Sequence, residues 1–530
     1  MATFSIKEYL NFKNVILYPL AGAFFPVLFF FEKNAWLYSW KALFVALIYI
    51  VAGVSIGWGI LTLITRNKEK SALVVLIVTM LFFSYGPLFD GVNVFTGTYF
   101  DFYLRVRHMW FLEFALLALG LIEVYMMKNP ERLTRPLNIA TAVLLLPSLF
   151  GIGSYAFSQI EAGRSVVSGT ENSGSAAGVA ESKVQPDIYY IILDGYAHRE
   201  VLENSFRFDN DDFYDYLEEK GFFVARESIA NYSHTLNALA ASLNMRYVNE
   251  FADRYGAKSG NTAPLAALIE DNAVVHFLKT RGYTFATFNS GFKPTAHSRF
   301  ADVQFSGGVF KSVFSEDNFL TAMLVQMSAV RHLQEFGLVK KFGGITESNN
   351  ANLYRFIFEK LGTLPALEKK PLYVFAHIEA PHDPFVFDEH CEQSGEMTYV
   401  SQVKCVNALT EKTVDAILEH SPTPPVIIIQ GDHGWQSGEL VPAEATTEGI
   451  DSLDQRFLKD RMRNLFAIYT PGRDPEKSFY HAITPVNRFR ILFNEYFGTS
   501  YELLPDRSYY IPDLRYFFDV FDVTNRVKFK

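Results

Sequence analysis

Five long apolar runs fill most of the first 158 residues, at 14–31, 42–64, 71–89, 109–127 and 137–157. No other feature restricts the fold as strongly. A run of this length crosses a ~30 Å hydrocarbon core as a helix rising ~1.5 Å per residue, whereas irregular backbone would leave amides unpaired there. The pattern therefore predicts a transmembrane domain of five helices over residues 1–158. The composition agrees, with 49% hydrophobic and 20% charged residues and a mean hydropathy of +0.08, too apolar for a disordered chain and high for a wholly soluble one. At 530 residues the chain also exceeds one ordinary core, so a second unit is expected. A net charge of -9 and pI near 5.8 give no electrostatic reason to bind nucleic acid.

The connecting segments set the orientation. Lys7, Lys13, Arg66, Lys68, Lys70, Lys128, Arg132 and Arg135 fall on one side, and Lys33, Lys41, Arg105 and Arg107 on the other. The positive-inside rule then places the N-terminus in the cytoplasm, and an odd number of crossings exports everything after residue 158. The expected location is the cytoplasmic (inner) membrane, with the C-terminal part periplasmic or extracellular. Cleavage as a signal peptide is not expected, because four more spans follow the first. Between Asp90 and His108, Phe95, Tyr99, Phe100, Phe102 and Tyr103 lie close to Arg105 and Arg107, a mixture suited to the interface and to anionic headgroups.

Residues 159–185 turn Ser, Gly, Ala and Glu rich and read as a flexible linker. From 186 to 530 the pattern changes again. Short β-rich runs at 187–193, 222–227, 283–288, 371–376, 425–430 and 465–470 alternate with helical spacing around 210–219, 235–247, 264–280, 318–335, 351–361, 398–419 and 484–496. Apolar strands separated by helices predict an α/β domain whose mostly parallel sheet is covered by helices on both faces. In that architecture ligands gather at the carboxyl ends of the strands.

Three strand ends carry chemistry. The first ends in Asp194-Gly195, another in His377 followed by Pro381-His382-Asp383-Pro384, and a third in Gly431-Asp432-His433-Gly434. Carboxylates and imidazoles at one sheet edge form a plausible set for a divalent cation, with donors suited to zinc or manganese. An isolated Asp-Gly is equally the signature of a turn. The segment Asn231-Tyr232-Ser233-His234-Thr235 runs into a helix-prone stretch. Either Ser233 or Thr235 can therefore sit at a helix N-terminus, as a simple cap or as a hydroxyl beside a bound phosphate.

The order Asp194, Thr235, His377-x4-His382, Asp432-His433-Gly434 resembles the alkaline phosphatase superfamily in its sulfatase-like branch. Membrane helices, a tether and an exported domain resemble the lipoteichoic acid synthases and the lipid A phosphoethanolamine transferases. The resemblance implies that Thr235 is the catalytic nucleophile and that Asp194, Thr235, Asp432 and His433 bind the metal. It further implies that His382, and after it His377, meets substrate, and that Cys391 and Cys405, 14 apart, form a disulfide; by themselves the two could pair in an oxidising compartment or stay as thiols. A metal that lowers the pKa of a threonine hydroxyl and neutralises phosphoryl oxygens lets a weak nucleophile attack a phosphodiester.

There are departures from those families. Asp194 stands where the phosphoethanolamine transferases have Glu, and no histidine occurs between His433 and His481. One divalent ion is therefore expected, zinc or manganese with magnesium allowed, and a second is doubtful. Asn289 and Ser290 replace a histidine of the lipoteichoic acid synthases, leaving Asn289, His297 and Arg299 as candidate substrate contacts. No C/S-x-P-x-R sulfatase segment and no G-x-x-x-x-G-K-[ST] loop is present. The expected activity moves phosphoethanolamine or phosphoglycerol from a phospholipid donor to a glycan or lipid-linked acceptor of the cell envelope. The alternatives are a membrane-tethered phosphodiesterase, phosphatase or sulfatase-like hydrolase, and a non-catalytic envelope binding module.

Overall fold

The structure, a computed structural model, describes residues 15–35, 38, 40–100, 106–169, 185–306, 323, 327–330, 340–367, 371–435 and 453–529. It divides into two compact units, Met1–Ala156 with Lys311–Thr346, and Phe157–Phe310 with Glu347–Lys530.

The first unit is helical: α1 Tyr18–Asn34, α2 Trp40–Thr65, α3 Lys68–Phe100, α4 Val106–Met126 and α5 Thr134–Gly169 up to Ala156, the remainder of α5 belonging to the second unit. Among the described residues four segments, Trp40–Thr65, Lys68–Asn93, His108–Met126 and Pro130–Phe157, are long and apolar enough to cross a membrane. Their large side chains face outward without cover, as at Leu63, Phe111 and Phe150, which are 81%, 77% and 78% exposed. Such surface is stable only against lipid or a partner.

The first expected span is shorter than the others, because α1 has 17 residues. Its start is fixed from α5, where the Asn138 side chain accepts the Leu17 and Tyr18 N–H groups and donates to the Val15 carbonyl. At ~1.5 Å per residue α1 reaches about 26 Å. The helices pack through two clusters. Tyr18, Ala72, Leu73 and Val124 form one. Val27, Phe31, Leu43, Phe83 and Ile152 form the other, which Met323 and Met327 join from the later part of the chain. The expected linker starts as helix, since α5 runs to Gly169; residues 170–184 lie outside the described residues.

The second unit holds a seven-stranded sheet in the order β2-β7-β6-β1-β5-β3-β4. Its strands are β1 Ile188–Leu193, β2 Phe223–Val224, β3 Thr284–Phe288, β4 Val303–Phe305, β5 Leu372–Ile378, β6 Val426–Gln430 and β7 Phe466–Tyr469. β4, β3, β5, β1 and β6 run parallel, while β7 is antiparallel to β6 and β2 to β7. Every residue of β1 is buried, as a strand covered on both faces must be. Tyr189, Ile191 and Leu193 face a core built with Phe213, Leu217, Tyr354, Phe358, Val403 and Ile417. On the opposite face Tyr190 meets Phe489 edge-on at 5.0 Å and its hydroxyl donates to Ser242 Oγ.

The six expected strands are present. The helix expected at 264–280 is two, Ala263–Glu270 and Ala273–Lys279; between them Asn272 accepts the Val275 N–H and starts a new helix. β4 and the pair β8 Tyr509–Tyr510 and β9 Phe521–Asp522, two or three residues each, carry no legible alternation. Most of the helix expected at 318–335 lies outside the described residues. The register pairs Leu193 with Ile378 and Ile192 with Gln430, so the chain leaves the three central strands side by side.

Candidate metal centre at the ends of the central strands

Two glycines let the strand ends converge. Gly195 sits at φ +68°, a left-handed conformation that costs glycine little. It turns the chain so that Tyr196 N–H reaches the Leu193 carbonyl and Gly195 N–H donates to Asp432 Oδ1 at 3.0 Å. At Gly434 the reason is space: a Cβ there would fall on the carbonyl oxygens of Asp460 and Arg463. Its N–H instead donates to the Arg461 carbonyl, which locks the Asp432-His433 pair against the chain leading into β7.

Thr235 is the first residue of the helix Thr235–Asn244, so its hydroxyl stands at the positive end of the helix dipole. Its Oγ1 lies 3.4 Å from Asp194 Oδ2 and 3.3 Å from His433 Nε2. His433 Nε2 is also 3.5 Å from Asp194 Oδ1 and 3.5 Å from Asp432 Oδ2. His433 Nδ1 is 2.7 Å from the Gly434 carbonyl. A carbonyl only accepts, so Nδ1 carries the proton and Nε2 offers its lone pair to the cluster. Ser233, the other candidate hydroxyl, is spent elsewhere, accepting the Ile511 N–H.

These separations suit a cation. Tetrahedral ligands at ~2.0–2.1 Å from zinc stand about 3.3–3.4 Å from one another. Asp194, Thr235, Asp432 and His433 are each at most 6% exposed, and Asp194 Oδ1 and Asp432 Oδ2 have no hydrogen-bond partner. Two buried carboxylates with orphaned oxygens facing one lone pair is an arrangement that a divalent ion relieves. His382 adds a further donor: Asp194, His382 and His433 each offer a ligand atom within 4.8 Å of the others.

Charges follow the crowding. Burial works against ionisation of Asp194, but His382, His377 and His433 hold its carboxyl well below the usual range. Burial and the Asp194 charge push Asp432 up to about 6. Burial, reinforced by Arg461, keeps His433 and His234 neutral. His382 is raised although burial opposes it, because Asp194 and Asp383 stabilise its imidazolium.

His377 is 2% exposed and turns inward. Its Nε2 donates to Asp194 Oδ2 at 3.1 Å and its Nδ1 lies at hydrogen-bond distance, 2.8 Å, from Thr295 Oγ1. Thr295 Oγ1 is in turn 2.7 Å from Ser290 Oγ. Ser290 thus begins a chain that ends on Asp194. The expected substrate contacts nearby lie apart from the cluster. Asn289 Oδ1 accepts the Gly291 N–H, Arg299 pairs with Glu270 and Asp271, and His297 is exposed with no recorded contact to the four clustered residues. Cys391 and Cys405 form a disulfide that ties the loop after β5 to the helix Tyr399–His420.

Three groups went unnoticed in sequence. Arg461 approaches His433 from the helix Gln455–Met462. Glu379, two residues beyond His377, is pushed by burial up to about 7. His234 precedes Thr235. Only Glu379 carried a signal, an acid inside the H-x4-H element.

Fold and site together give a mostly parallel α/β sheet whose central strand ends gather a candidate cation site beside the Thr235 hydroxyl, in a chain that also carries long apolar helices. No protein-family model matches the chain, and no curated protein matches it in sequence. Among solved structures it is similar to the C-terminal periplasmic domain of EcEptC from Escherichia coli in complex with Zn, at 10% identity and TM-score 0.40, over 65% of this chain and 94% of that one. It is also similar to a protein in the alkaline phosphatase superfamily from Vibrio parahaemolyticus, at 10% identity and TM-score 0.39, over 66% and 81%. The lipoteichoic acid synthase LtaP from Listeria monocytogenes is similar at 13% identity and TM-score 0.36, over 64% and 78%. Values this low do not carry a reaction across, so the functional reading rests on the site.

Proposed function

We propose that the protein is a membrane-anchored, metal-dependent transferase of the alkaline phosphatase superfamily. It moves a phosphorylated headgroup, phosphoethanolamine or phosphoglycerol, from a phospholipid to an envelope glycan or lipid-linked acceptor. The observation that carries this reading is the Thr235 hydroxyl, held 3.3–3.4 Å from His433 and Asp194 beside two orphaned buried carboxylate oxygens. Asp194, Asp432, His433 and Thr235 would hold one divalent ion, zinc or manganese. When bound, that ion supplies Lewis-acid polarisation of a phosphoryl oxygen and eases loss of the hydroxyl proton.

The residues of the chain do the rest. Thr235 Oγ1 bonds to the donor phosphorus as the bond from phosphorus to the diacylglycerol oxygen breaks, and the hydroxyl proton ends on that departing oxygen. The acceptor hydroxyl then displaces Thr235, which recovers a proton. His382, 30% exposed at its side chain, stands beside the buried cluster where substrate oxygens would enter. The Cys391–Cys405 disulfide supports placement in an oxidising compartment. With α1 as a fifth crossing and the N-terminus cytoplasmic, the part from 186 to 530 is exported.

The test is an adduct. Purified full-length protein incubated with phospholipid vesicles and a divalent ion, then quenched and digested, should carry a phosphorylated headgroup on Thr235, and Thr235→Ala should carry none. An adduct on Ser233, or none under turnover, would defeat the reading. Headgroup phosphate released with no modified acceptor would make the enzyme a hydrolase.

A further inference from the structure

Arg461 is 5% exposed, yet nothing described around it accepts its hydrogen bonds. Among the described residues its one polar side-chain contact is Nη1 to His433 Nδ1 at 3.3 Å. That nitrogen already spends its proton on the Gly434 carbonyl at 2.7 Å, so two donors face each other and no bond forms between them. Among the described residues Arg461 enters no ion pair. The neighbouring Arg463 shows the ordinary solution, with Glu200 at 2.7 Å and the Val527 and Lys528 carbonyls as acceptors. Arg488, also short of acceptors, is sealed in, with Nε and Nη1 fully buried and its guanidinium over Phe466 at 3.9 Å. The Arg461 nitrogens are not among those sealed groups.

An interior guanidinium without an acceptor is costly to keep. Its neighbourhood shows what repays that cost, since its charge acts on His234, His382, His433, Asp194 and Asp432, the residues around the Thr235 hydroxyl. We propose that Arg461 binds substrate directly, donating to an anionic phosphate oxygen beside Thr235. The fork of N–H groups on arginine matches phosphate geometry. This inference rests on the reading of the centre as a phosphoryl-transfer site.

The experiment uses full-length protein in detergent, loaded with manganese, as wild type, Arg461→Gln and Arg461→Lys. Metal content, the dissociation constant for inorganic phosphate and, on phosphatidylethanolamine vesicles, kcat and KM are measured for each. Arg461→Gln should keep its metal and bind phosphate about 10- to 100-fold more weakly, the worth of a charge-assisted hydrogen bond, and Arg461→Lys should fall between. A matching rise in KM on vesicles assigns the contact to the lipid-borne phosphodiester. An unchanged KM assigns it to free phosphate. Phosphate affinity at the wild-type level in Arg461→Gln overturns the proposal, and so does loss of metal in both variants, which makes Arg461 a support for His433. If Arg461→Gln does not fold, Arg461→Lys decides by the same criteria. Wild-type protein that takes up neither manganese nor phosphate overturns the reading of the centre itself, an outcome distinct from failure of Arg461 alone.

Discussion

Replacing His377 tests whether the buried chain behind Asp194 matters to the cation. His377 Nε2 donates to Asp194 Oδ2 at 3.1 Å, and the hydrogen bond between Nδ1 and Thr295 Oγ1 at 2.8 Å fixes the ring. A hydrogen bond to a charged group is worth about 1.5–3 kcal/mol, and about 1.4 kcal/mol is a factor of ten in affinity. His377→Ala should therefore weaken cation binding by about 10- to 100-fold, the usual range for groups that orient metal ligands. Thr295→Val removes a neutral hydrogen bond worth about 0.5–1.5 kcal/mol and should cost about two- to tenfold. His377→Gln, which still offers an N–H, should recover part of the loss. The assay is competition for zinc or manganese between a chelator and the full-length protein, with thermal unfolding alongside to separate binding from folding. Wild-type affinity in both His377→Ala and Thr295→Val would refute the argument that this chain sets the Asp194 carboxylate.

Three further outcomes follow from the same geometry. Because burial and Asp194 push Asp432 up to about 6, and a carboxylate must be ionised to hold a cation, metal affinity should rise with pH through about 6 and level off above it; a chelator competition series from pH 5 to 8 checks the sign. Gly434→Ala drives a methyl onto the Asp460 and Arg463 carbonyls, so it should destabilise by about 1–3 kcal/mol or more and lower metal content, read by denaturant unfolding and metal analysis. Reducing Cys391–Cys405, which closes a loop of 14 residues' separation, should lower stability by about 3 kcal/mol on the loop-entropy model, seen as a shift in denaturant midpoint with and without reductant.

Much of this was legible in the sequence because strands announce their ends. The apolar run 187–193 delivers Asp194, and 425–430 delivers Asp432 and His433, with the flanking glycines marking where the chain must turn or pack closely. Ser233 and Thr235 were both legible as hydroxyls before a helix, but that Thr235 lies beside Asp194 and His433 while Ser233 accepts the Ile511 N–H was not. Contacts between distant segments were not legible. Whether His377 faces substrate or the interior depends on its register beside Ile192. The ion pairs of Arg299 with Glu270 and Asp271 carry no mark in the sequence either. Arg461 lies 28 residues after His433 on a helix whose pattern marks no function. In the membrane part, hydropathy located the runs, but the start of α1 is set by a side chain 120 residues away.

The most direct test is X-ray absorption on zinc-loaded, full-length protein, compared with Asp432→Asn and His433→Ala. The account predicts one zinc per chain with nitrogen and oxygen neighbours only, at about 2.0–2.1 Å, and loss of occupancy or of the imidazole scattering in the variants. Wild-type protein holding no zinc, or zinc whose shell is unchanged in His433→Ala, would contradict it.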